Sequence, residues 1–308
     1  MMKKIILLIS VISQIVHAEK VLILTHAYNR PEFIAIQHKT FQKFLSDDYE
    51  YVVFNDARTQ DMATQIETAC HEVGVRCIRI PQEIHTQPYL PRLPKDNFHR
   101  PNIRHANNTQ YSFDVLAFDH DGIVLVIDSD MFLVRPLNIT EYMEDKDVSA
   151  LIKTSNATVW YLCPALSFFH MNKLPNKRSL NFNCGLIDNK VKVDSGGWTY
   201  YYFRDNPGLR VAAVDAHWSY NLYLGNSDIH KPVDHKTPDH IKIEKYTRLG
   251  FNEKEILFFL KKPDTFEYYL DKHFFHYHAG SNHDKKPSSY HIRKFNIFKE
   301  YIDDILST

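Results

Sequence analysis

Two aspartates separated by one serine follow a short apolar run near the middle of the chain. The run, Ile123–Ile127, shows no polar alternation, which is typical of a strand buried on both faces of a sheet. Asp128, Ser129 and Asp130 come directly after it. Because residues two apart in extended backbone lie on one side, both carboxylates can face the same point. Such a pair repels unless a cation or a proton lies between the groups, and hard oxygen ligands suit Mn²⁺ or Mg²⁺. We therefore expect a divalent metal site there; the alternative is a polar turn that only ends the strand.

The elements before this pair alternate between strand and helix. The pattern predicts strands over Val21–Thr25, Tyr51–Asn55 and Val75–Ile80, with helices over Pro31–Leu45 and Asp61–Val73 between them. This alternation predicts an α/β fold with parallel strands and helices on both faces of the sheet. A proline-rich loop and a helix over about 102–118 then lead to the apolar strand. Ligands of such sheets bind outside the carboxyl ends of the strands, where the two aspartates fall.

The second half of the chain is less regular. Its patterns predict short strands over Val148–Ile152 and Cys184–Ile187, helices over Trp198–Asp205 and Ala216–Leu224, and a helix returning to a strand over Lys261–Tyr277. There is no internal repeat and no clean linker. We therefore expect one domain over residues 19–308, in which a ligand-binding half at about 19–135 is completed by a second half at about 136–308.

Residues 1–18 have the parts of a secretory signal. Lys3 and Lys4 precede the apolar stretch Ile5–Val16, and the last three residues before Glu19 form a cleavage site. The stretch is shorter than the roughly 20 residues that a membrane-spanning helix needs. We expect cleavage, no stable membrane span afterwards, and a location in a secretory-pathway lumen, in a periplasm or outside the cell. The alternative is that the stretch is a buried strand or helix of the domain.

Composition excludes several classes of protein. The 308 residues contain 37 basic and 37 acidic side chains, so binding of nucleic acid by bulk charge is excluded. An apolar fraction of 44% excludes a disordered chain. There are four cysteines, namely Cys70, Cys77, Cys163 and Cys184. No two of them have CxxC spacing, so a cysteine zinc site is unsupported, while disulfide pairing and buried free thiols both stay open.

The element Asp128-Ser129-Asp130 after an apolar strand resembles the DxD motif of nucleotide-sugar glycosyltransferases with the GT-A fold. The opening segment 21–31, VLILTHAYNRP, is similar to the first strand and loop of that fold. The resemblance, which is to the group of glycogenin and the bacterial lipopolysaccharide sugar transferases, implies a mixed, mostly parallel central sheet flanked by helices. It also implies a Mn²⁺ or Mg²⁺ cofactor and sugar transfer from a nucleoside-diphosphate sugar, above all a UDP-sugar. The acceptor would be a carbohydrate, a lipid-linked group or a protein.

The same resemblance implies which residues contact the nucleotide sugar. In the first half of the chain these are Thr25, His26, Tyr28, Arg30, Asp56, Arg104, Asn108, Asp128 and Ser129. Near the C-terminus, the segment 275–282, FHYHAGSN, and the KKP at 285–287 are similar to the segment with which that group completes its metal site and holds the diphosphate.

This late segment implies a third metal ligand and the contacts to phosphate. Asp128, Asp130 and His276 would bind the metal, with His278 as a competitor for His276. Gly280 would let the backbone approach phosphate, and Lys285 or Lys286 would neutralise the leaving group.

Two further segments resemble the second half of that fold. Asn183-Cys184-Gly185 resembles an acceptor-side strand, and 215–221 resembles the segment with an acidic residue beside the reacting sugar, which implies a catalytic Asp215. The usual Asp-Gln pair is Asp215-Ala216 here, so retention and inversion both stay open; if Asp215 deprotonates an acceptor hydroxyl, transfer inverts the anomeric centre. Trp218 and Tyr220, at helical spacing, are predicted as core residues, with stacking on a sugar ring as the alternative.

Two other functions remain. A phosphatase of the haloacid dehalogenase type also places DxD and Mg²⁺ after an apolar strand, but its motif opens the domain, whereas about 100 residues precede Asp128 in the mature chain. The other is a secreted, non-catalytic sugar-binding protein of the same fold.

Overall fold

A computed structural model describes residues 20–86, 101–156, 158–218, 238–261, 267–277 and 288–307. The strands are β1 (Val21–Ala27), β2 (Tyr49–Asn55), β3 (Arg76–Arg79), β4 (Ile123–Asp128), β5 (Met131–Leu133), β6 (Val148–Thr154), β7 (Trp160–His170), β8 (Gly185–Ile187), β9 (Val191–Val193), β10 (Val211–Ala213), β11 (Ala216–Trp218), β12 (Glu267–Tyr269) and β13 (Phe274–His276). The helices are α1 (Glu32–Phe44), α2 (Gln60–Glu72), α3 (Pro101–Val115), α4 (Ile139–Tyr142), α5 (Thr199–Asp205), α6 (Asp239–Arg248), α7 (Glu253–Lys261) and α8 (Ser288–Ser307).

Seven strands form the central sheet, in the order β10-β6-β7-β4-β1-β2-β3. Strand β7 is antiparallel to both of its neighbours, and the other neighbouring pairs are parallel. The predicted mixed, mostly parallel sheet flanked by helices is confirmed. Strands from both halves of the chain share this sheet, because β6, β7 and β10 extend it beyond β4.

Both faces of β4 are buried, which explains its unbroken apolar sequence. On one face Leu125 belongs to a cluster that includes Phe41 of α1 and Ile66 of α2. On the other face Val124 packs in a cluster with Phe113 of α3. Covering helices on both sides leave no position where a polar side chain of the strand would reach water.

A second, four-stranded sheet with the order β11-β12-β13-β5 brings the C-terminal part of the chain to the end of β4. Strand β13 is antiparallel to β5, with His276 opposite Met131. The backbone N–H of Tyr277 donates to the carbonyl oxygen of Asp130 at 2.8 Å. A histidine far along the sequence is thereby fixed beside the two aspartates.

One sequence prediction in the second half is wrong, and another is wrong in part. Ala216–Trp218, predicted as the start of a helix, is strand β11, because its backbone pairs with β12 and this tertiary pairing overrides the local pattern. In the region Lys261–Tyr277, predicted as a helix returning to a strand, the strand is confirmed as β13. Glu267–Tyr269, however, is strand β12 and not helix, and it forms a hairpin with β13 whose turn residues Leu270, Asp271 and Lys272 have positive φ. The sequence gives little indication of this turn, because none of its residues with positive φ is a glycine.

Several predictions concern residues outside the described ranges. These are the signal at 1–18, most of the proline-rich loop, and Tyr220; Trp218 is described only as part of β11. Across the helices that the structure describes, none combines the length and the apolar character that crossing a membrane requires.

Candidate functional site

Asp128, Asp130 and His276 lie together at the carboxyl end of β4. One ligand atom from each of the three side chains lies within 4.8 Å of the others, and His276 Nε2 is 3.2 Å from Asp130 Oδ1. Asp128 is the last residue of β4, and Ser129 and Asp130 form the turn into β5. Two carboxylates and one imidazole are a donor set that fits Mn²⁺ or Mg²⁺, although an imidazole favours Mn²⁺ of the two.

A buried glutamine of α1 fixes this turn. Gln37 Nε2 donates to the carbonyl oxygens of Asp128 at 3.0 Å and of Met131 at 2.6 Å. The hydroxyl of Tyr51 in turn donates to Gln37 Oε1 at 2.5 Å. The sequence analysis did not single out Gln37, although a fully buried glutamine on the apolar face of an amphipathic helix is the signal that could have identified it.

A histidine on α3 contacts the first aspartate. His105 Nε2 is 3.2 Å from Asp128 Oδ1. Burial alone would raise the pKa of Asp128, but the nearby charge and hydrogen bond of His105 outweigh it and lower that pKa to about 2. Burial likewise works against protonation of His105, and the charge of Asp128 overcomes it, so that the pKa of His105 is raised. Asp128 is therefore ionised at neutral pH, as a metal ligand must be. His105 was also missed by the sequence analysis.

Beyond β1, on the side of β2, a buried carboxylate is surrounded by donors. Asp56, 1% exposed, accepts from Arg104 Nη2 at 2.6 Å and Nε at 3.2 Å, from Asn108 Nδ2 at 2.7 Å and from His85 Nε2 at 2.8 Å. Burial works to raise the pKa of Asp56, whereas the hydrogen bond from His85 and the charge of Arg104 lower it further than burial raises it. The Arg104 guanidinium also lies 5.2 Å from the ring centroid of Tyr28. The structure thus brings together four residues that were predicted to contact the nucleotide, namely Tyr28, Asp56, Arg104 and Asn108.

One polar atom of this cluster lacks a hydrogen-bond partner in the described structure. Asn108 Oδ1 is buried and has no hydrogen-bond partner within the described parts of the chain. A buried amide oxygen without a partner is rare in a folded protein, and a bound molecule can complete it. A cluster that carries an ion pair and one unused acceptor matches a polar ligand with its own N–H or O–H donor.

Two predicted nucleotide contacts on β1 lie between this cluster and the aspartates. Thr25 is fully buried and its hydroxyl donates to the carbonyl oxygen of Ile127 at 2.9 Å, so its side chain ties β1 to β4. His26 is opposite Asp128 in the sheet register, and its Nε2 is 3.1 Å from Ser112 Oγ. Burial, assisted by the charge of His105, lowers the pKa of His26 to about 3, so this imidazole is neutral.

Arg30 lies among aromatic rings. Its guanidinium is 4.2 Å from the ring centroid of Phe33, 5.3 Å from that of Phe295 and 5.5 Å from that of Tyr277, and it forms an ion pair with Glu32. The residue is only 6% exposed. These contacts give Arg30 a packing role between α1 and α8, beside the strand that carries His276.

Asp215 is not brought to the metal group. It follows β10, which is separated from β4 by β6 and β7, a lateral distance of about 14 Å at the usual strand spacing. Its carboxylate accepts from the backbone N–H of Asp271 at 2.9 Å, at the turn between β12 and β13. Gly280, Lys285, Lys286 and His278 lie outside the described residues.

Solved structures with a partly similar fold include several sugar transferases. A mannosyltransferase from Pyrobaculum calidifontis, in complex with GDP-Man and Mn²⁺, matches 75% of this chain and 61% of its own at 13% identity and a TM-score of 0.39. An active-site mutant of LgtC matches over 63% and 72% at 12% identity and a TM-score of 0.39. A glucosyl-3-phosphoglycerate synthase from Mycobacterium tuberculosis, in complex with phosphoglyceric acid, matches at 18% identity and a TM-score of 0.30, and the chain spans less than half of its length, 46%. No family model and no curated protein matches the chain.

Proposed function

We propose that this protein is a metal-dependent glycosyltransferase of the GT-A type, which moves a sugar from a nucleoside-diphosphate sugar to an acceptor. A UDP-sugar is the favoured donor, and the acceptor is a carbohydrate, a lipid-linked group or a protein. The observation that carries the proposal is the group of Asp128, Asp130 and His276 at the carboxyl end of the central strand, next to the polar cluster around Asp56. The alternation of strand and helix places both at the edge where α/β sheets bind ligands.

The two clusters divide the work of binding the donor. Arg104 and Asn108 are held by Asp56 in a fixed arrangement, so they can orient the base or ribose without further ordering. Asp128, Asp130 and His276 would hold the metal ion. A bound Mn²⁺ or Mg²⁺ supplies positive charge that offsets the charge developing on the departing diphosphate.

The proposal also includes the predicted phosphate contacts near the C-terminus and the predicted catalytic aspartate. Gly280 and Lys285 or Lys286 would complete the phosphate site. A role of Asp215 in transfer requires a substrate that extends across three strand spacings from β4, because the described structure holds this carboxylate at the turn before β13. The stereochemistry of transfer stays open with it.

The test is thermal unfolding of the protein with UDP, GDP and CMP, each with and without Mn²⁺. A ligand at about 100 times its Kd stabilises the folded state by about 2.7 kcal/mol. At about 2 °C per kcal/mol for a chain of this size, the midpoint should rise by about 5 °C with one nucleotide, and only with metal. Asp130→Ala should lose the shift, whereas Asp145→Ala, an exposed aspartate at the opposite edge of the sheet, should keep it.

Further outcomes separate the alternative functions. No shift with any nucleotide would overturn the donor site. A shift without metal-dependent hydrolysis or transfer of the corresponding sugar nucleotide would favour a binding protein. Release of phosphate through an acid-stable phosphoaspartate at Asp128 would favour the phosphatase.

We also propose that the protein works where residues 1–18 would direct it, in a secretory-pathway lumen, in a periplasm or outside the cell, with donor supplied to that compartment. Sequencing of the mature N-terminus tests this: Glu19 as the first residue supports export, and an intact N-terminus on a cytosolic protein would refute it.

A further inference from the structure

A lysine and an aspartate form an ion pair on the side of β4 that faces away from Asp56. Lys153 lies in β6 and Asp194 directly follows β9, with 2.9 Å between Nζ and Oδ2. The two side chains are 41% and 40% exposed, so solvent molecules and ligands can reach them. Ser195 Oγ is 3.5 Å from His105 Nδ1, and the other ring nitrogen of this histidine contacts Asp128. The pair therefore adjoins the metal group through one histidine.

The loop that carries Asp194 is closely packed against β7. Gly196 has φ of +83°, and a Cβ there would lie 2.0 Å from the carbonyl oxygen of Leu162 in β7. A Cβ on Gly197 would lie 2.2 Å from a neighbouring side-chain methyl. Thr199 Oγ1 accepts from Leu162 N at 3.0 Å and donates to the Gly196 carbonyl at 2.7 Å. The Asp194 carboxylate is thus carried by backbone that packing and hydrogen bonds hold in place, an arrangement that suits a binding site.

Two donors beside this loop have no partner in the described structure. They are the indole Nε1 of Trp198 and the amide Nδ2 of Asn183, and Asn183 is only 3% exposed. The Trp198 indole nitrogen lies 3.8 Å from the place that a Cβ on Gly185 would occupy. Gly185 is opposite Val193, the residue before Asp194, in the β8–β9 hairpin. Buried donors of this kind are normally satisfied, so their presence here indicates a ligand with acceptor oxygens.

We propose that Lys153 and Asp194 orient the hydroxyl groups of a carbohydrate acceptor, with the Trp198 indole N–H as an additional donor. The inference rests on the proposed glycosyltransferase function and narrows its acceptor to a sugar. Neighbouring hydroxyl groups of a sugar ring both donate and accept, so an ionised carboxylate beside an ammonium matches them.

The position of the pair favours the acceptor over the donor sugar. The nucleotide cluster lies on the side of β1 and β2, and the metal group lies at β4. Strand β6 is two strand spacings from β4 on the opposite side, about 10 Å away. An acceptor bound on that side would face the metal group without overlapping the nucleotide cluster.

The experiment follows the indole N–H signal of Trp198 in a ¹H–¹⁵N NMR spectrum, where the chain has only three tryptophans. Trp198→Phe assigns the signal. Protein saturated with Mg²⁺ and nucleoside diphosphate is titrated with the methyl glycosides of glucose, galactose and mannose; Mg²⁺ is used because paramagnetic Mn²⁺ would broaden the signals of nearby groups. At least one of them should shift the Trp198 signal, with affinity about tenfold weaker or worse in Asp194→Asn and in Lys153→Met.

The control is Asp205→Asn, because Asp205 also forms an ion pair with a 2.9 Å contact, to Arg204, in the same half of the protein. It should bind the glycoside as the wild type does. The nucleotide-dependent shift of the unfolding midpoint is measured in every variant, since it reports the fold and the donor site separately. Its absence in the wild type would overturn the proposed function instead.

Three results would overturn the inference while the donor site remains intact. No methyl glycoside shifts the Trp198 signal, or the glycoside binds equally well to Asp194→Asn and Lys153→Met, or only an intact sugar nucleotide shifts the signal. The last result would assign the pair to the donor sugar.

Discussion

Replacing Arg104 by methionine should remove the main partner of the buried Asp56 carboxylate. In the wild type, Arg104 donates twice to this carboxylate and once to the Asp56 carbonyl oxygen at 2.9 Å. The variant leaves the carboxylate, at 1% exposure, with His85, Asn108 and the weaker contact from Gln82 Nε2 at 3.2 Å. Breaking a buried pair by removing one partner typically costs about 3–5 kcal/mol, and the remaining donors place the expected loss near the lower end, about 3 kcal/mol.

The assay is urea unfolding at neutral pH, with Arg204→Met as the matched control. Arg204 pairs with Asp205 at 2.9 Å, but the two side chains are 49% and 62% exposed, so its loss should cost less than about 1 kcal/mol. In a double-mutant cycle, Asp56→Asn should cost less in the Arg104→Met background than in the wild type, by on the order of 2 kcal/mol.

The dependence on pH gives an independent check. The folded-state pKa of Asp56 is depressed, so the stabilisation from its ionised form is present above the unfolded value of about 3.9 and is lost as the pH falls through the folded value. The stability difference between wild type and Arg104→Met should therefore shrink as the pH falls below about 3.9. A loss no larger than that of Arg204→Met, or a difference that does not change with pH, would refute the idea that a buried ion pair organises this pocket.

Two other predictions concern the loop before α5 and the cysteines. Gly196→Ala should destabilise the protein by roughly 3 kcal/mol in urea unfolding, because φ is positive there and the new Cβ would overlap the Leu162 carbonyl. The control Gly208→Ala, with nothing within 4 Å of its Cβ, should change stability little. Equal effects of the two substitutions would contradict the close packing of this loop. No disulfide joins the four cysteines in the structure, and the thiols of Cys70 and Cys77 are hydrogen-bonded to each other. This bond, with burial, raises the pKa of Cys70, and the same bond lowers the pKa of Cys77, which makes Cys77 the attacking thiolate. Oxidised glutathione should therefore convert this pair to a disulfide with release of two glutathione thiols, detected as a loss of two hydrogens in the linked peptides; a persistent glutathione adduct on Cys77 would argue against it.

The first half of the fold could be predicted because local patterns and tertiary demands agree there. Strands β1 and β4 begin with unbroken apolar runs, β2 contains the run Tyr51–Phe54, and helices α1 and α2 show helical periodicity. Strand β11 could not be predicted, since its conformation depends on pairing with β12, some 50 residues later in the sequence. The hairpin turn at Leu270 likewise lacks the glycine that normally marks positive φ.

The site divides in the same way. Asp128 and Asp130 can be identified in the sequence by their position after an apolar strand. The position of His276 beside them depends on the pairing of β13 with β5. His105 and the pair of Lys153 and Asp194 carry no sequence signal, because their relation to Asp128 exists only after α3, β6 and the β8–β9 hairpin have packed. The chain contains 18 histidines, and nothing in the sequence distinguishes His105 from the other 17.

Helix α3 shows why sequence patterns fail at the site itself. Arg104 and Asn108, one turn apart, contact Asp56, while His105, the residue after Arg104, contacts Asp128. Ser112 continues the same helix to His26. Its buried face is therefore largely polar, where a helix that only covered a sheet would present apolar side chains. Burying these groups is costly unless each finds a partner, and the partners come from β1, β2 and β4. Helix α3 links the polar cluster around Asp56 to the metal group at the end of β4. It departs from the hydrophobic pattern because folding favours apolar side chains on its buried face, whereas ligand binding requires polar ones.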